Sequence, residues 1–170
     1  MLPRFLLTAA LGLLALTGST LAEQLKVVSI SDGDTFTGLD SQSRQIKVRL
    51  HGIDAPEKAQ AFGNVSRKAL GDLIEGKTVE VQKVDKDRYG RVVANVNIGG
   101  VYVNRELVAK GLAWRYVQYD KKGEFTQVGQ AAKTARKELW ADASPVPPWE
   151  WRKSEKERRA AKKGVGVGTR

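Results

Sequence analysis

The stretch "RQIKVRLHGIDAPE", residues 44–57, decides the reading of the fold. Its first half alternates. Ile46, Val48 and Leu50 share one face, and Gln45, Lys47 and Arg49 share the other, which is the two-residue period of a half-buried strand. Its second half breaks that period. Pro56 fixes its own φ and biases Ala55 toward extended geometry, so the strand hands over to a stiff loop carrying Asp54 and Glu57. Such a loop can aim two carboxylates and a backbone carbonyl at one point. It can equally be a surface loop with solvated acids.

Working upstream, "LKVVSIS" (25–31) and "TFTGL" (35–39) read as strands joined by the tight-turn signal "DGD". "DSQS" (40–43) turns the chain into the strand at 44–50, which completes a meander. Downstream, Phe62, Val65, Ala69, Leu70, Leu73 and Ile74 recur at helical spacing, and Gly76 ends the run. "KTVEVQKV" (77–84) and "RVVANVNI" (91–98) are the fourth and fifth strands, connected by the polar hairpin "DKDRYG". Asn104 is expected to N-cap a helix stopped by Gly111. A last helix is expected from about 124 to 140, with Val128, Ala131, Ala132, Ala135 and Leu139 on one stripe. These elements predict an α+β, mainly β fold: a five-stranded oligonucleotide-binding (OB-fold) Greek-key barrel with about three helices.

Both ends fall outside this pattern. The start, 1–22, has Arg4 as a positive flank, an apolar run from Phe5 to Leu16, and small residues Thr20 and Ala22 at cleavage-like spacing. It reads as an export signal cut after Ala22, or else a retained anchor. Either places the protein outside the cytoplasm, secreted or periplasmic. At the other end, "ASPVPPWEW" (143–151) contains three prolines and is expected to lie extended, pinned by Trp149 and Trp151. Residues 152–170 hold eight basic and two acidic residues and read as a disordered tail. The expected organisation is therefore 1–22 signal, 23–142 folded domain, and 143–170 extended segment and tail.

Composition narrows the chemistry. The 170 residues suit one domain with ornaments. With no cysteine and only His51, thiolate sites, cysteine nucleophiles and multi-histidine metal sites are excluded. Any metal must be held by oxygen, which points to calcium or magnesium. The net charge of +10 favours polyanions, nucleic acid first and acidic membrane second.

If the first three strands are neighbours, Asp34 of "DGDT" opens the second while Asp54 lies just past the third. Two carboxylates, a carbonyl and waters would suit calcium; the alternative for "DGDT" is an ordinary hairpin turn. Arg49 and Arg91 are either solvated or a bidentate phosphate clamp facing that cluster. His51 is expected to be structural rather than a base. Asp85 and Asp87 are expected to be solvated hairpin acids.

In order, "DGDT", "RLHGIDAPE", "DRYGR" and "GLAWRYVQY" resemble the staphylococcal nuclease (thermonuclease) family over about 25–142. The resemblance implies calcium held by Asp34, Asp54 and the main-chain carbonyl of Ala55, with Asp32 in support. It implies Glu57 as general base and Arg49 and Arg91 as the phosphate clamp. Arg88 and Tyr89 fall where a terminal phosphate is bound, and Tyr119 lines the nucleotide pocket. Ala55 stands where threonine is familiar, Arg88 where lysine is, and Val117 where a second pocket tyrosine is, with Tyr116 adjacent. The implied activity is calcium-dependent hydrolysis of DNA and RNA leaving 3′-phosphate ends, by a monomer without an obligate protein partner. The competing expectation is a non-catalytic nucleic-acid-binding barrel; a basic membrane-binding protein ranks behind both.

Overall fold

The computed structural model describes residues 22–165. Nearly all of the expected export signal and the last five residues lie outside that range. In chain order the elements are β1 (Glu23–Ile30), β2 (Thr35–Leu39), β3 (Gln45–Leu50), β4 (Ile53–Asp54), α1 (Gly63–Ile74), β5 (Thr78–Lys86), β6 (Val92–Ile98), β7 (Val101–Tyr102), α2 (Val103–Ala109), β8 (Trp114–Arg115), α3 (Thr126–Thr134) and α4 (Pro148–Val165). A 3-10 turn at Glu138–Ala141 separates α3 from α4.

The strand order is β3-β2-β1-β5-β6-β7, and a parallel β3–β6 pairing closes five of these strands into a barrel. Alternation supplies its interior. Val48 and Leu50 of β3 are buried, as are Phe36 of β2, Val79 and Val81 of β5, and Ala94 and Val96 of β6. Leu70 and Ile74 of α1, Leu107 of α2 and Phe125 complete the same cluster. Each fully buried large apolar side chain contributes roughly 1.5–3 kcal/mol, so this cluster is the main source of stability in a chain without cysteines.

Three expectations are corrected. Asn104 is not a cap. It sits in the first turn of α2, fully buried, and its side chain accepts from Val96 N (3.1 Å) and donates to Ala94 O (3.1 Å) and His51 O (3.0 Å). Unpaired main-chain groups at this junction would be costly, and one amide satisfies three of them. The helix expected over 124–140 ends early, because Arg136 and Glu138 take positive φ (49° and 43°). That turn lets Leu139 bury its side chain and donate its N–H to Gly111 O (3.1 Å).

The largest correction is at the C-terminus: of the extended segment and disordered tail expected over 143–170, residues 148–165 form the helix α4, while 143–147 are not helical and 166–170 lie outside the described residues. The expectation rests on three prolines excluding a helix over 143–151. Pro145 and Pro147 do lie outside the helix, but Pro148 is its first residue, where a missing N–H costs nothing and φ is already helical. The residues that follow are mostly Glu, Lys, Arg and Ala, all good helix formers, and Glu155 pairs with Arg158 one turn on. Trp149 pins the start of α4: its ring stacks on Tyr116 (centroids 5.3 Å, planes 5° apart) and meets Trp114 edge-on at 5.7 Å.

Candidate active site

The β2–β3 register sets the geometry. Thr35 lies opposite Arg49, and Leu50 N donates to Asp34 O (2.8 Å), so the DGD turn ends beside the end of β3. Gly33 permits this turn to press inward. A Cβ there would stand 2.7 Å from Ala55 Cβ and 2.6 Å from Ser66 Cβ. Asp34 then accepts from Ala55 N (3.0 Å) on Oδ2 and from Thr35 Oγ1 (2.9 Å) on Oδ1. Asp32 accepts from Asp34 N (3.0 Å) and braces the turn. Asp54 is fixed from the other side, because β4 pairs with β8, Asp54 opposite Trp114.

The two acids meet. Arg49 Nη2 lies 2.7 Å from Asp54 Oδ1 and 3.2 Å from Asp34 Oδ2. Its Nη1 is anchored on Ile53 O (3.1 Å) and Leu50 O (3.3 Å). Arg91 reaches the same cluster from the hairpin. Its Nε donates to Asp87 Oδ2 (2.7 Å), and its Nη1 approaches Thr35 Oγ1 (3.5 Å), the hydroxyl that donates to Asp34. Glu57 stands on the loop after Pro56, its N–H bonded to Gln60 Oε1 (3.2 Å) and its carbonyl to Gln60 N (2.8 Å). Helix α1 begins directly beneath that loop: a Cβ at Gly63 would collide with Glu57 O.

The remaining expected residues lie outward. Arg88 and Arg91 flank the ring of Tyr89 at 4.9 and 5.6 Å, and Tyr89 is 70% exposed. Tyr119 is half exposed and packs edge-on against Tyr116 at 4.9 Å, the ring that stacks on Trp149. His51 is tied through its main chain, N to Ala94 O (2.8 Å) and O to Asn104. Among the described residues its buried Nδ1 has no hydrogen-bond partner.

Two residues of the cluster were missed from sequence. Asp87, read as a solvated hairpin acid, orients Arg91 and accepts from the main-chain N–H groups of Tyr89 (2.9 Å) and Arg91 (3.0 Å). Burial would raise its carboxyl, but these hydrogen bonds outweigh burial and hold it below the usual range. An acid four residues before an arginine was the available signal. The other is Arg152 of α4. Its Nη1 lies 2.7 Å from Glu57 Oε1, and its Nη2 lies 2.7 Å from Asp54 Oδ2. Nothing in the sequence links it to acids more than ninety positions away.

Burial dominates the electrostatics of the cluster. Burial, then the charge of Asp34, push Asp32 up to about 7. Burial also raises Asp54; Asp34 adds to that, and Arg152 and Arg49 only partly offset it. Among the described residues no three acidic or imidazole side chains converge as a metal-holding group, so what the cluster itself offers a cation is the two carboxylates of Asp34 and Asp54. That oxygen-only set fits a hard divalent cation of flexible coordination.

Comparison with known proteins agrees with this geometry. The family described as "Staphylococcal nuclease homologue" matches residues 47–142. An uncharacterized endonuclease of Haemophilus influenzae is 46% identical over 131 residues, 77% of this chain and 74% of that protein. An uncharacterized endonuclease of Escherichia coli is 41% identical over 128 residues, 75% of this chain and 83% of that protein. A staphylococcal-like nuclease of Arabidopsis thaliana is 37% identical over 122 residues, 72% of this chain but 38% of the plant protein. With barrel, acids and arginines placed as described, the chain belongs to the staphylococcal nuclease homologue family.

Proposed function

We propose that the protein is an exported, calcium-dependent nuclease that hydrolyses phosphodiester bonds of DNA and RNA and leaves 3′-phosphate ends. The observation that carries this reading is the convergence of Asp34 and Asp54 on one guanidinium nitrogen of Arg49, with Arg91 on the same cluster and Glu57 at its edge. Asp34, Asp54 and the Ala55 carbonyl would hold calcium, which when bound supplies positive charge to a phosphate oxygen. Arg49 and Arg91 bind the remaining phosphate oxygens bidentately, and their contacts strengthen as charge builds on the phosphorus-centred transition state. Glu57 orients a water and accepts its proton as the water oxygen bonds to phosphorus. The bond from phosphorus to the 5′ oxygen breaks, the 5′ oxygen takes up a proton, and the phosphate stays on the 3′ side. Arg88 and Tyr89 contact a terminal phosphate, and Tyr119 packs against a nucleotide. Recognition by charge and stacking, rather than base edges, suits both DNA and RNA.

One observation favours a second reading, a non-catalytic nucleic-acid-binding barrel: Arg152 already engages both Asp54 and Glu57. The test is hydrolysis of end-labelled DNA with calcium or with chelator, followed by analysis of the new ends. Calcium-dependent cleavage with 3′-phosphate products supports the nuclease. Binding without cleavage supports the second reading, and full activity in chelator removes calcium from the mechanism.

A further inference from the structure

Helix α4 lies outside the family match, yet it borders the candidate site. Arg152, Lys156 and Arg159 recur at i, i+4 and i+7, the spacing of a single helix face. Together with Glu57 they line an open cleft of about 480 Å³. Arg152 stands at its inner end, on Glu57 and Asp54, while Lys156 and Arg159 are exposed along its wall. The one acid of that wall, Glu155, is largely covered and paired with Arg158, so it opposes the ridge little. From 152 to 159 the helix rises about 10 Å. That is roughly three nucleotide steps of a duplex strand at ~3.4 Å each. The orientation of the ridge is fixed at its base by the Trp149–Tyr116 stack, so these cations form a directed row rather than a cloud.

We propose that α4 is a nucleic-acid-binding arm, in which Arg152 offers a third guanidinium to the phosphate at Glu57 and Lys156 and Arg159 contact phosphates further along the same strand. This rests on the nuclease reading for the polarity of the cleft, but the binding it describes is independent of cleavage. A guanidinium shared between two carboxylates can exchange one of them for a phosphate oxygen pair without losing its bidentate partner. The alternative is a solvated basic face, in which only total charge matters.

The measurement is fluorescence anisotropy of a short labelled single-stranded oligonucleotide in chelator across a salt series. The wild type is compared with K156A/R159A and with K153A/K162A, which removes equal charge from positions of α4 that do not line the cleft. Each lost phosphate contact should lower the slope of log affinity against log salt by ~0.7. K156A/R159A should therefore lose about 1.4 and K153A/K162A less than half of that. In calcium, the kcat/KM deficit of K156A/R159A should grow with oligonucleotide length. Equal slopes for the two double variants, or no change in either, would overturn the arm. If the wild type cleaves in calcium and the slopes are equal, the arm fails and the nuclease stands. If the slopes separate but no substrate is cleaved, the arm stands and the nuclease fails.

Discussion

The barrel end that carries Asp34, Asp54 and Arg49 and the helix that carries Arg152 bring charges to the same few ångströms by opposite means. The acids of the barrel are placed by strand register and by Gly33, which lets the DGD turn press against Ala55 and Ser66, and Asp34 and Asp54 are almost wholly buried. Arg152 arrives on a helix with few apolar residues, held by Trp149 and by the acids it meets. Its side chain remains 40% exposed. Position on the barrel is therefore a property of the core, whereas position on α4 depends on the charge it finds. A perturbation that leaves the barrel folded should still be able to detach α4 from the site.

That contrast can be broken most severely at the chemistry. E57Q, R49A and R91A should each lower turnover by at least ~10²-fold, the scale of a positioned base or oxyanion donor, with smaller losses in substrate binding. H51Q should lose less than ~10-fold. Steady-state kinetics on a short oligonucleotide measures all four, and an H51Q loss equal to that of E57Q would move the base to His51. Next in size is G63A. The added Cβ would collide with Glu57 O, and overpacking of that kind costs ~1–3 kcal/mol, read as a lower urea midpoint. An unchanged midpoint would mean that the Glu57 loop is as adaptable as α4.

R152A should have a smaller effect in the opposite direction. Freeing Asp54 of a competing cation should tighten calcium binding several-fold, on the scale of a partly exposed ion pair. Calorimetric titration reads this directly, and hydrogen exchange should show α4 opening while β2 and β3 stay protected. Weaker calcium binding in R152A would show that Arg152 supports the site instead of competing for it. The smallest effect concerns Asp87. Its folded value is depressed, so its contribution is present above its unfolded value near ~3.9 and is lost as pH falls through the lower folded value. The thermal stability advantage of wild type over D87N should hold near neutrality and vanish in acid. A constant difference from neutral to acid pH would assign the hairpin's stability to something other than the Asp87 charge.

Legibility in the sequence followed the same division. Strands such as 44–50 were readable because burial on one face enforces a two-residue period, and the handover to a loop at Pro56 was readable from backbone sterics. That Asp34 and Asp54 meet followed only if the first three strands were neighbours, which the register between β2 and β3 supplies. Asn104 was misread because a local rule for helix starts lost to three long-range hydrogen bonds. The break after α3 was invisible, since it exists to bring Leu139 to Gly111, a contact no local pattern encodes. Helix α4 is hidden because the three prolines suggest an extended segment, although Pro148 marks a helix start, and because the charge-rich run after it suggests disorder; Arg152 is hidden because its partners are distant in the chain.

The parallel pairing of β3 with β6 carries a temporal consequence. Val48 lies beside Val92 in that pairing, so Arg49 and Arg91 approach one another only when the two strands dock and the barrel shuts. The contact spans more than forty residues, so it can form only by closing a long loop of chain. A chain still emerging, or one opened at this seam, carries both arginines but does not hold them together. Assembly of the candidate site is then a by-product of completing the fold, and partly folded forms are without it however many of its residues have already been made.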